Sequence, residues 1–138
     1  MNGWGLVAYG TQVVLNQSCQ QVVRHVTEAL AEQDFVVVAE LDLREALQTT
    51  LGVTVPDQIV LGVCRRPLAD AALRVEPSLG LLLPIRVVVR AAAPEVTVVE
   101  AVDPVMMLAI TGNPALEPVV ADSASRLAAA LNSLPGRL

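Results

Sequence analysis

Cys64, Arg65 and Arg66 are the side chains in this sequence whose types and spacing come nearest to chemistry. The thiol closes the apolar run Ile59–Cys64, and Pro67 then opens a helix. A helix start presents free backbone N–H groups and partial positive charge, which lower a thiol pKa or hold an anion. Arg65 and Arg66 add charge, and Arg86, early in a later strand, is expected at the same edge. These four residues form the candidate site: a small anionic ligand beside a reactive or redox-active thiol. The plainer alternative is a buried cysteine with two solvated arginines, since free cysteine is among the most buried residue types. A tyrosine-phosphatase loop is excluded, because it needs Arg six positions after the Cys and Asp70 stands there.

Other candidates read as structural. Cys19 sits on the apolar stripe of a helix. His25, the single histidine, has no second histidine for a metal and no serine at a known spacing. Arg86 and Arg90 share one face of a strand, which is either a solvated face or one that meets an anion or a partner. Glu40 and Asp42 share a face if their strand runs that far, but Asp42 serves as a helix cap. Met106 and Met107 belong to an apolar helix. There is no glycine-rich phosphate loop, zinc-ligand cluster or nucleophile elbow. No catalytic residue, metal or cofactor is therefore expected.

The elements that carry these residues follow from periodicity. Residues 4–15 read as a first strand. Ser18 and Gln21 form a capping-box pattern ahead of Val22, Val23, Val26, Ala29 and Leu30 at helical spacing. Phe35–Ala39 is a β-branched strand. A short helix capped by Asp42 carries Leu43 and Leu47 and ends at Gly52. Gln58–Cys64 alternates as a third strand, and Pro67 opens a helix through Leu73. After a turn over Gly80–Pro84, Ile85–Arg90 and Val96–Val102 form a hairpin across Ala91–Glu95. Asp103-Pro104 starts a helix that Gly112 stops. Val120, Ala124, Leu127, Leu131 and Leu134 mark the buried seam of a last helix. Two consecutive hairpin strands argue against a doubly wound parallel sheet. The expected fold is α+β, a mostly antiparallel sheet with helices packed on one face.

Composition bounds the remainder. Residues 1–138 read as a single domain, long enough to bury about two-thirds of its unfolded surface. Apolar residues make up 54% and charged residues 17% of the chain, which excludes disorder. The net charge of −5 and three aromatics, Trp4, Tyr9 and Phe35, argue against nucleic acid, which needs phosphate-neutralising charge and stacking platforms. No apolar stretch approaches the ~20 residues of a membrane span. The first 23 residues lack the basic start and small-residue cleavage site of a signal peptide, and two cysteines make no disulfide framework. The expected compartment is the cytoplasm, with no membrane partner.

An ordered series of blocks then matches something known. Phe35 to Asp42, Ile59 to Cys64, Leu68-Ala69 with Ala72-Leu73, Leu81 to Pro84 with Val87 to Val89, and Val102-Asp103-Pro104 resemble the bacterial and archaeal domain-of-unknown-function family 302 over roughly residues 18–134. The resemblance implies a topology similar to the TATA-binding protein, a dimer, and no established activity. Many relatives carry Cys-Asn-Pro where this chain has Cys64, Arg65 and Arg66, and Pro-Cys-Asn where it has Pro84, Ile85 and Arg86. A histidine common in the short helix corresponds to Asp70. Of the two thiols and the histidine, this chain thus keeps one group, the Cys64 thiol. The expected function is a homodimeric binding or interaction module of unknown biochemical activity, with the Cys64 thiol and anion site as the alternative.

Overall fold

The computed structural model describes residues 9–138. Five strands form one sheet: β1 (Gly10–Leu15), β2 (Val36–Asp42), β3 (Gln58–Cys64), β4 (Ile85–Ala93) and β5 (Val96–Val102). Their order across the sheet is β1-β5-β4-β3-β2, and every neighbouring pair is antiparallel. The helices are α1 (Cys19–Glu32), α2 (Leu43–Leu51), α3 (Arg66–Val75), α4 (Val105–Thr111) and α5 (Glu117–Asn132). The expected α+β architecture is the one observed. Of the strand expected over residues 4–15, residues 10–15 form β1, and residues 4–8 lie outside the described part.

Local chemistry starts and stops the helices where the residue types dictate. Ser18 Oγ accepts from Gln21 N, and Gln21 Oε1 accepts from Ser18 N, closing the capping box on α1. Asp42 Oδ1 accepts from Glu45 N at 2.9 Å and caps α2. Gly52 ends α2 and Gly112 ends α4, each in the left-handed conformation that lacks a Cβ penalty.

Period-two alternation builds the inner face. Val13, Leu15, Leu61, Val63, Ile85, Val87, Val89, Val99 and Ala101 are buried together with Val22, Val26, Ala29 and Leu30 of α1. On α5 the buried residues are Val120, Ser123, Leu127, Ala130 and Leu131. Ser123 therefore takes the place expected for Ala124, because the seam runs in mixed steps of three and four. A 3-10 turn, Pro77–Leu81, buries Leu79 just ahead of and overlapping the turn expected over Gly80–Pro84.

Two strands run further than their residues suggest. β2 continues to Asp42 past a bulge between Val37 and Ala39, and β4 continues to Ala93 past one between Ala91 and Ala93. Bulges insert a residue into the ladder, so alternation shifts and the strand signal breaks. Phe35 precedes β2 and is buried in the core.

Gly62 marks the closest approach in the sheet. A Cβ there would lie 2.6 Å from Pro84 Cγ and 3.3 Å from Ala39 Cβ. Gly62→Ala is expected to cost about 1–3 kcal/mol in urea denaturation. Gly80→Ala, with nothing within 4 Å, is the control. Equal stability of the two variants would contradict the close approach.

Candidate functional site

The four residues of the expected anion site have different surroundings. Cys64 ends β3 opposite Val36 and lines a crevice of about 20 Å³ with Leu68, Ala72, Leu79 and Ile85. Ligand pockets occupy some 300–1,000 Å³, so this crevice admits no ligand larger than water. Arg66 is exposed at the first residue of α3. Arg86 stands on β4 opposite Gly62, two positions along β3 from Cys64, and is exposed.

Arg65 is turned inward and held by carboxylates. Its guanidinium donates to Asp122 on α5 and lies 3.9 Å from Asp34, which follows α1. Arg126 reaches the same two carboxylates, at 3.3 Å each. Asp34 adopts φ 64°, the left-handed region that Asp tolerates better than most residues. Two arginines and two aspartates thus tie the β3–α3 junction to α5 and to the end of α1. Burial works to raise the Asp122 pKa, but the hydrogen bonds and charges of Arg65 and Arg126 outweigh it and hold the carboxyl below its ordinary value.

Cys19 faces a different region. With Gln20 and Asp57 it lines two adjoining clefts between the start of α1 and the strand ends. One, of about 390 Å³, adds Ser18, Arg44 and the β4–β5 turn. The other, of about 250 Å³, adds Val23, Glu40, Asp42 and Ile59. Arg44 and Asp57 pair at 3.1 Å across the first. Burial first, then the carboxylates of Asp57 and Asp42, push the Cys19 thiol pKa up, which disfavours the thiolate. The acidic side chains do not converge: among the described residues no three His, Cys, Asp or Glu groups are placed to hold a metal.

The outer face of the sheet is the one turned away from α1. Strand register assigns it three rows. Gly10, Val102, Arg86, Gly62 and Ala39 form one. Gln12, Glu100, Val88, Val60 and Leu41 form the next, and Val14, Val98, Arg90 and Gln58 the third. Arg90 Nε reaches diagonally to Glu100 Oε1 at 2.7 Å, and Gln12 Nε2 donates to the other oxygen. Burial raises the Glu100 pKa, while the bonds from Arg90 and Gln12 lower it and prevail. Arg86 is exposed and has no carboxylate partner among the described residues. Arg86 and Glu100 line one shallow depression of about 240 Å³ with Tyr9, Val88 and Val102.

Residues 11–134 match the family described as Domain of unknown function DUF302. The chain belongs to this family. No curated protein matches it. The crystal structure of an uncharacterized conserved protein DUF302 from Bacillus stearothermophilus is similar over 91% of this chain and 98% of that one, with a TM-score of 0.82 and 25% identity. The DUF302 assignment carries no specific activity. Among the described residues of this DUF302 chain, no helix is long and apolar enough to cross a membrane.

Residue spacing hinted at one part of this ion network: Asp122 and Arg126 are four apart on a helix. Nothing in the spacing joins Arg65 to Asp122. A carboxyl held below its ordinary pKa stabilises the fold above its unfolded value, about 3.9 for Asp, and that stabilisation is lost as pH falls through the native value. Asp122→Asn is therefore expected to lower stability at pH 7 by about 1–2 kcal/mol. In thermal unfolding the gap to the parent protein narrows as the pH drops below 4.

Proposed function

We propose that this DUF302 domain is a binding module that works as a homodimer, joined through the outer face of its sheet. The carrying observation is that face itself: a register-defined array in which Leu41, Val60, Val88, Val102 and Val14 surround one internally neutralised ion pair. Leu41 is exposed there, and Val14, Val60, Val88 and Val102 each keep part of their surface open.

Size supports a second copy. With strands about 4.8 Å apart and about 3.4 Å per residue, five strands and three rows span roughly 24 by 20 Å. Two such faces bury roughly 1,000 Å², the lower bound for a specific interface. Stacked sheets bring their side chains into contact at about 10 Å separation. The small crevice at Cys64 and the carboxylates bound to Arg65 turn the reading away from an anion site there.

Sedimentation at tens of micromolar is expected to give a dimer. Val88→Arg places a charge at the centre of the face and is expected to give a folded monomer with an unchanged circular dichroism spectrum. A parent protein that sediments as a monomer would sink the proposal.

A further inference from the structure

We infer that Arg86 fixes the register of this dimer by entering the partner's depression and pairing with the partner's Glu100. The inference rests on the reading just given and concerns how the two faces align.

Three observations carry it. First, Arg86 is exposed on the central strand β4, one row from Val88, and forms no ion pair among the described residues. Covering it with a second sheet without an acceptor would bury an unpaired charge, which is strongly unfavourable. Secondly, Glu100 is the single carboxylate in the three rows and keeps 22% of its side chain exposed. It has room for another donor. Its two oxygens take one bond each from Arg90 and Gln12, and a carboxylate offers about four acceptor sites. Thirdly, Arg86 and Glu100 line the same depression without bonding to each other.

Register explains the separation and its use. Glu100 stands opposite Val88, so Arg86 is one row away on the adjacent strand. A cation and an anion side by side on one surface are self-complementary under a two-fold axis between them. Rotation sets each Arg86 over the partner's Glu100, giving two equivalent pairs, as an isologous interface requires. Any alignment that sets Arg86 over the partner's Arg86 brings like charges together and is disfavoured.

The test measures dimer dissociation by sedimentation for the parent protein, Arg86→Glu, Arg86→Ala, Glu100→Gln and the Arg86→Ala/Glu100→Gln double variant. Arg86→Glu is expected to weaken the dimer about tenfold or more. The double variant is expected to be little worse than the weaker single variant, the signature of a shared contact. Thermal unfolding of Arg86→Glu should match the parent, since the side chain has no ion-pair partner among the described residues of its own subunit. A parent dimer that Arg86→Glu leaves intact would overturn the register while leaving the outer-face dimer standing. Strictly additive single effects would overturn it too. A monomeric parent protein would overturn both.

Discussion

The packing of α1 across the inner face of β4 and β5 is the contact on which the other elements depend. Val22, Val26 and Leu30 bring an aliphatic stripe against Val87, Val89 and Val99, all essentially inaccessible to water. Burying each such side chain stabilises the fold by about 1.5–3 kcal/mol. The start of α1 is anchored to the same strands, because Thr97 Oγ1 donates to Gln17 O at 2.7 Å. The chain end closes over this corner: Asn16 N donates to Gly136 O, and Leu138 N donates to Val14 O. With one face of the sheet committed to α1, the alternation of β-strand side chains points every second residue to the opposite face.

That asymmetry organises the charges. On the helical side, Arg65 and Arg126 neutralise Asp34 and Asp122 where three elements meet. Partly buried arginines need such planar acceptors, and breaking a pair leaves a charge stranded. On the outer side, Arg90 and Gln12 fasten Glu100 flat on the sheet. The pairing lets charged residues occupy a surface that is otherwise aliphatic. Arg86 is the group on that surface left without an internal counter-charge among the described residues. The functional reading of this DUF302 domain therefore comes from where charges are satisfied and where one is not.

The thiols illustrate why neighbours in sequence mislead about sites. Cys64, Arg65 and Arg66 are consecutive, yet a strand end sends successive side chains in different directions. One goes to a packed crevice, one to an ion cluster and one to solvent. Cys19, read from its helical spacing as a core residue, is indeed buried, and it also borders the larger cleft.

Periodicity and capping chemistry are local, so much was legible in the residues alone. The Ser18 box, the Asp42 cap, the glycines that end α2 and α4, and the alternation of β3, β4 and β5 follow from interactions within a few positions. Antiparallel α+β architecture followed from two strands joined by a short turn. The bulges in β2 and β4 were not legible, because an inserted residue looks like lost alternation until its partner strand is known. Nor were the meeting of Arg65 with Asp122, 57 positions away, or that of Gln12 with Glu100, 88 positions away. Those pairings depend on strand order and on which helix crosses which junction. Residue order alone determined the elements and their apolar faces; only long-range packing decided which charges neutralise one another, because distance in space is set by the assembled sheet and not by separation along the chain.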